Sequence, residues 1–263
     1  MTQGSKTLIT RRIRSEKAMR FVWLLGLALT GATPLPASAQ PDPVPVALRA
    51  SDGIGIAGLY YQAPRPKGII LLFHQAGSSK AEYATIAPRL VGLGYSALAI
   101  DQRSGGALFG PNETAARLKH PATYLQAKAD LIAALDWAKI KKLPVILWGS
   151  SYSAALVFEV AAEHPEVSAV LAFSPGEYLG DGKPVALAAS RIRVPIFLTS
   201  SSDAQEIQAA RAILAASPSS AKTQYVPRIG VHGTSTLIAA RDPKGAADNW
   251  THVVAFLSTL TGA

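Results

Sequence analysis

Five short, almost wholly apolar runs recur along this chain: Gly68–Phe73 (GIILLF), Tyr95–Ile100, Pro144–Trp148, Ser168–Phe173 and Pro195–Thr199. A strand with one face in water alternates apolar and polar residues. A strand that is apolar throughout must be covered on both faces. Helical patterns fall between the runs. They are Ala81–Leu93, closed by Gly94; Thr123–Lys142, with Leu131, Leu135 and Ala138 on one face; Ser153–His164; a segment marked by Ile207, Ala210 and Leu214; and Gly245–Leu260. This alternation predicts an α/β fold, a mostly parallel sheet with helices on both sides. Val46–Ala50 and Ile54–Gln62 predict an opening pair of strands around Ser51-Asp52-Gly53, and Thr223–Val226 predicts the last strand. Ser174–Val194 reads as a long loop. No internal repeat breaks the pattern, and residues 40–263 read as one domain.

The first forty residues are of a different kind. Lys6, Arg11, Arg12, Arg14, Lys17 and Arg20 precede the apolar run Phe21–Leu29, and Ala37-Ser38-Ala39 follows. A basic stretch, a short apolar stretch and an A-x-A site form a secretory signal, so residues 1–39 are expected to be cleaved and the protein exported, to the periplasm or beyond. Pro34 and Pro36 keep the apolar run below the ~20 residues a membrane span needs. Translation starts at Met1 or at Met19, which would give a signal of more usual length. The basic block also explains most of the formal charge of +9. Without it the chain stands at about +4, which calls for no polyanionic partner, and no nucleic-acid binding is expected. There is no cysteine, which excludes disulfides, thiolate metal sites and a cysteine nucleophile.

In sheets of this class ligands bind beyond the carboxyl ends of the strands, so the polar residues just after each apolar run carry the chemistry. Val145-Ile146-Leu147-Trp148 runs into Gly149-Ser150-Ser151-Tyr152-Ser153 and then Ala154-Ala155. This is G-x-S-x-S between a strand and a helix, the pattern of a nucleophile elbow with Ser153 in place of the second glycine. Small residues two before and two after Ser151 let strand and helix approach closely. Ser151 is thereby the candidate nucleophile; Ser150 fits the spacing less well. The Tyr152 N–H, at a helix N-terminus, is placed to bind an oxyanion. The base should come from a loop after the last strand. Of His74, His120, His164, His232 and His252, only His232 lies in such a glycine-flanked loop. The acid should follow a strand between the two. Asp203, after Thr199-Ser200-Ser201-Ser202, is the first candidate and Glu177 the second. After Phe73, the loop His74-Gln75-Ala76-Gly77 should supply the other oxyanion N–H, from Ala76 or Gln75. His74 is expected to hold that loop. Asp101 and Arg103 are read as an ion pair. Phe109, Tyr124 and Tyr178 suggest an apolar acyl pocket, walled by residues 103–123 and 174–194. The histidines lack metal-ligand spacing and no dinucleotide or P-loop glycine pattern follows a strand, so no metal or other cofactor is expected.

These stretches together, with Asp101-Gln102-Arg103-Ser104-Gly105-Gly106, Ser174-Pro175-Gly176-Glu177-Tyr178 and His232-Gly233, resemble the α/β-hydrolase superfamily, and within it bacterial dienelactone-hydrolase-like proteins. The resemblance spans Ala47 to Leu260. It implies a sheet of about eight strands and a Ser/Cys-His-Asp triad, here Ser151, His232 and Asp203. Dienelactone hydrolases proper use cysteine, so the serine here argues against dienelactone as substrate. The expected activity is hydrolysis of a small-molecule carboxylic ester through an acyl-enzyme. Acyl transfer or peptide cleavage by the same triad, or a catalytically silent binding protein on the same fold, are the alternatives.

Overall fold

A computed structural model describes residues 42–260, all within one compact unit. The expected export segment, residues 1–39, lies outside the described residues. Eight strands form one sheet: β1 Val44–Arg49, β2 Gly55–Tyr61, β3 Ile69–Phe73, β4 Ser96–Ile100, β5 Val145–Ser150, β6 Val167–Phe173, β7 Ile196–Thr199 and β8 Lys222–Gln224. Their spatial order is β1-β2-β4-β3-β5-β6-β7-β8. The pairs β1–β2 and β2–β4 are antiparallel and the rest are parallel. Parallel neighbours need crossovers, and the helices α1 Ile86–Gly92, α2 Lys128–Lys139, α3 Tyr152–Glu163, α4 Pro184–Ala189 and α5 Ala204–Ala216 lie between strands. The helix α6 Ala246–Thr259 closes the described chain.

The apolar runs become strands buried on both faces. In β3, Ile69, Leu71 and Phe73 join one core, with Leu131 of α2, Leu156 of α3 and Ile213 of α5. Ile70 and Leu72 point to the other, with Leu90 of α1 and Trp250 and Phe256 of α6. Each such side chain, fully removed from water, contributes roughly 1.5–3 kcal/mol. The two cores hold the carboxyl ends of β3 and β5 at fixed height. The chain leaves β3 for β4 on one side and then crosses to β5 on the other, which opens a crevice above β3 and β5.

Four elements differ from the sequence pattern. The segment 81–93 is broken: a short 3-10 helix, Lys80–Tyr83, precedes α1. Long-range ties hold that first turn apart, since Tyr83 Oη donates to the Phe73 carbonyl at 2.7 Å and Glu82 accepts the Gln75 N–H at 2.9 Å. The helix predicted over Thr123–Lys142 is regular only over Lys128–Lys139, after a 3-10 turn at Leu125–Ala127. The segment 174–194 contains α4, which Pro184 opens. The last strand is Lys222–Gln224 rather than Thr223–Val226.

Asp101 and Arg103 do not pair with each other. Asp101 binds the Lys80 ammonium at 2.7 Å. The Arg103 guanidinium joins Asp130 on α2, at 2.7 Å, to Asp52 in the β1–β2 turn. Both residues lie beyond the end of β4, and each has its partner on a different element.

Candidate active site

Gly149, next to last in β5, lies against the start of α3. A Cβ there would lie 2.5 Å from the Ser153 carbonyl carbon and 2.6 Å from the Ala154 Cα, so only glycine fits. The chain then turns so sharply that Ser151 takes φ +59° and ψ −122°, a conformation costly for any residue with a side chain. Its N–H is anchored to the Phe173 carbonyl of β6 at 2.8 Å. Its hydroxyl is left to face the crevice. Ser153 is small, as the elbow requires, and also hydrogen-bonded: its Oγ donates to the His74 carbonyl and accepts from Gln102 Nε2, both at 2.6 Å.

The Ser151 Oγ lies 2.8 Å from His232 Nε2, and His232 Nδ1 lies 2.8 Å from Glu206 Oε1. The carboxylate facing His232 is therefore Glu206, in the first turn of α5. It is neither of the acids expected from the sequence. Asp203 is the N-cap of α5: its Oδ1 accepts the Gln205 and Glu206 N–H groups at 2.8 and 3.1 Å. Glu177 reaches α4 from outside the helix, whose N-cap position is Lys183, and accepts the Val185 and Ala186 N–H groups at 2.9 Å each. Both acids serve helix ends, whose first N–H groups have no intrahelical partner. The sequence did contain a signal for Glu206. Asp203-x-x-Glu206 has the spacing of a capping box, in which the residue at the third helical position turns back toward the loop. Here it turns toward His232 instead.

Glu206 is held in place by three further contacts. Ser174 Oγ donates to its Oε2 at 2.7 Å and the Ser201 N–H reaches the same oxygen at 3.0 Å; the third is indirect, since Ser174 Oγ in turn accepts the Gly233 N–H at 2.8 Å. Burial would raise the Glu206 pKa, but the hydrogen bonds from His232, Ser174 and Ser201 outweigh it and hold the carboxyl at about 2. It is ionised at any pH where the protein works. An ionised carboxylate accepts only, so neutral His232 carries its proton on Nδ1 and leaves Nε2 to accept from Ser151.

Tyr152 opens α3, and neither its N–H nor that of Ala76 has a protein partner among the described residues. Gln75, the other expected donor, is not free. Its N–H is spent on Glu82 Oε2 at 2.9 Å, which leaves the Ala76 N–H as the unpaired one of the two. His74 holds the loop, as expected. It is fully buried, and burial lowers its pKa to about 4, so it is neutral near pH 7. The Gln102 N–H donates to its Nε2 at 2.9 Å, so the proton sits on Nδ1, which donates to the Gln75 carbonyl at 2.8 Å. Ser150 does not face the crevice: it is buried, and its Oγ accepts the Thr234 N–H at 2.9 Å.

Beside the serine, Tyr124 stacks on Tyr152 with ring centroids 4.3 Å apart, and Ser104 Oγ donates to Tyr152 Oη at 2.8 Å. Ser104 borders a cavity of about 250 Å³, walled also by Gly105, Leu118, Lys119, His120 and Pro121. Phe109 is not part of it; it packs under Arg241, 4.8 Å from the guanidinium carbon to the ring centre. Tyr178 folds back onto the Ser174 carbonyl at 3.3 Å. Among the described residues no group of three or more His, Asp or Glu side chains could hold a metal ion, and no helix is long and apolar enough to cross a membrane.

This strand order, with a strained serine after the fifth strand and a histidine after the eighth, defines a serine hydrolase of the α/β-hydrolase class, similar to dienelactone hydrolases. The model of the serine aminopeptidase S33 family matches residues 64–224, more than half of the chain, and the protein belongs to that family. No curated protein matches it in sequence. Among solved structures, dienelactone hydrolase from Anabaena variabilis is similar at 21% identity and TM-score 0.66, over 84% of this chain and 99% of that one. An esterase of Pyrococcus furiosus matches at 20% identity and TM-score 0.64, over 84% and 93%. The acylaminoacyl peptidase of Pyrococcus horikoshii matches at 13% identity and TM-score 0.61, over 84% of this chain but 42% of its own. At these identities the likeness is one of fold.

Proposed function

We propose that the protein hydrolyses carboxylic esters of small molecules through an acyl-enzyme on Ser151, after export to the periplasm or the medium. The observation that carries this is the unbroken hydrogen-bonded line from Ser151 Oγ through His232 to Glu206, with both links at 2.8 Å. As Ser151 Oγ bonds to the ester carbonyl carbon, its proton passes to His232 Nε2. Glu206 stabilises the imidazolium that results. The carbonyl oxygen, now negative, accepts from the Tyr152 N–H at the N-terminus of α3 and from the Ala76 N–H of the loop after β3. Collapse of the tetrahedral intermediate breaks the bond to the alcohol oxygen, which leaves with the His232 proton. Water, deprotonated by His232, then cleaves the acyl-enzyme and restores Ser151–OH.

Aminopeptide cleavage by the same residues is the second reading, raised by the family's description. An aminopeptidase must hold a free ammonium group. The choice between the two readings is made by turnover. The test is turnover of p-nitrophenyl esters and aminoacyl p-nitroanilides by wild type and Ser151→Ala, with intact-mass detection of a fluorophosphonate adduct. The ester should be cleaved, the adduct should map to Ser151, and Ser151→Ala should lose about 10⁴–10⁶-fold in kcat while keeping its circular dichroism. An adduct on Ser150, or wild-type turnover by folded Ser151→Ala, refutes the assignment; preference for the anilide refutes the ester.

A further inference from the structure

Glu82 is a buried carboxyl behind the site that the mechanism above does not use. It lies in the 3-10 turn after the oxyanion loop, is 1% exposed, and forms no ion pair among the described residues. An unpaired buried carboxyl is costly, and an apolar side chain of similar size would fill the same space without that cost. Its contacts show what it holds.

The Gln75 N–H donates to Glu82 Oε2 at 2.9 Å, while the Gln75 carbonyl accepts from His74 Nδ1 at 2.8 Å. Both backbone groups of Gln75 are therefore gripped by buried side chains. The next N–H in the chain is that of Ala76. It belongs to the same planar peptide unit as the Gln75 carbonyl and points the opposite way. Fixing Gln75 on both sides fixes that N–H toward the crevice. The other carboxyl oxygen, Oε1, is buried without a hydrogen bond, and the hydroxyls of Ser78 and Ser150 face the group. Ser150 Oγ in turn accepts the Thr234 N–H, two residues after His232. Gly233 packs so closely on this point that a Cβ there would lie 2.6 Å from Ser150 Oγ and 3.2 Å from Gln75 Oε1. One carboxyl thus adjoins the loops that carry the oxyanion donor, the nucleophile and the base.

We propose that Glu82 is a positioning residue for the oxyanion hole: its carboxylate holds the Gln75 N–H and so aims the Ala76 N–H at the reacting carbonyl. This rests on the serine-hydrolase reading of the site above. Burial raises the Glu82 pKa to about 7, against the opposing pull of the Gln75 N–H, Ser150, Ser78 and the His232 charge. The titratable groups that face it are His232 from the loop after β8, Tyr83 beside it and Tyr152 from α3. Burial first, and the Glu82 charge with it, raises the pKa of both phenols, so they stay protonated near neutrality. The clamp is strongest when Glu82 is ionised, so activity falls as Glu82 takes up a proton.

The experiment measures kcat, KM and the rate of Ser151 phosphonylation from pH 5 to 9 for wild type, Glu82→Gln and Glu82→Leu. Wild type should show an acid limb of log(kcat/KM) with an extra severalfold fall near pH 7, and Glu82→Gln a limb of shallower slope there. At pH 8 Glu82→Gln, which keeps an acceptor for Gln75, should lose severalfold in kcat. Glu82→Leu should lose about 10–100-fold, the scale of a misaimed catalytic group, with KM changed less than threefold. A carboxyl whose pKa rises from 4.5 to about 7 on folding destabilises the fold progressively across that range and fully above it, so Glu82→Gln should melt at or above wild type at pH 8. If Glu82→Leu does not fold, the slope for Glu82→Gln decides. An unchanged slope, or Glu82→Leu at wild-type kcat, overturns the proposal while wild-type labelling leaves the serine mechanism standing. Failure of wild type to label or turn over removes both.

Discussion

The turn after β5 and the segment after β7 both deliver a charged or reacting group to one point in space, and they do it by different physics. Between Gly149 and Ala155 the chain is fixed by steric exclusion. A glycine that admits no Cβ, a serine at φ +59° and a run of small residues permit one conformation. Between Thr199 and Glu206 the chain is fixed by satisfaction of hydrogen bonds. Asp203 caps the helix, and Glu206, one turn further, is drawn to His232 by its own set of donors. Steric constraint leaves a local mark in sequence. Reach across 26 residues to a histidine on another loop does not.

Ways to break this comparison follow in order of size. Glu206→Gln should cost about 10³–10⁴ in kcat, because the amide can present a donor to Nδ1 and favour the wrong tautomer; an effect below tenfold would mean that another acid orients His232. Gly149→Ala should act on the fold. A methyl group forced against the Ser153 backbone costs about 1–3 kcal/mol as overpacking, a fall in Tm of roughly 2–10 °C by thermal unfolding. A Tm equal to wild type would show that the elbow tolerates more room than its geometry implies. Asp203→Ala should have the smallest effect, about 1 kcal/mol of lost capping and 2–4 °C in Tm, with kcat close to wild type. A drop in kcat comparable to that of Glu206→Gln would return Asp203 to the chemistry and erase the contrast.

The same contrast governs how much was legible beforehand. The apolar runs that became β3, β5 and β6 were legible because they are short, β-branched-rich and bounded by turn residues, as strands covered on both faces are, and the elbow was legible in its small residues. The acid was misread because the first carboxylate after β7 is at the position helix capping favours, and Asp203 does cap α5. Glu177 follows β6 but is taken up by the first N–H groups of α4. That helix is six residues long and carries too little periodicity to stand out from the loop around it. The break in the segment 81–93 was hidden because its cause lies outside it, in the ties of Glu82 and Tyr83 to the oxyanion loop and β3. Gln75 was a fair candidate for the oxyanion donor until the partner of its N–H was known.

The central claim is the line Ser151–His232–Glu206, and the imidazole protons test it most directly. Histidine-selective ¹⁵N labelling at pH 8 should show His232 as the Nδ1–H tautomer, with that proton shifted far downfield by a charged acceptor. The signal should persist in Asp203→Asn and disappear from its downfield position in Glu206→Gln. A His232 protonated on Nε2 in wild type, or a downfield proton that survives Glu206→Gln and is lost in Asp203→Asn, would contradict the account.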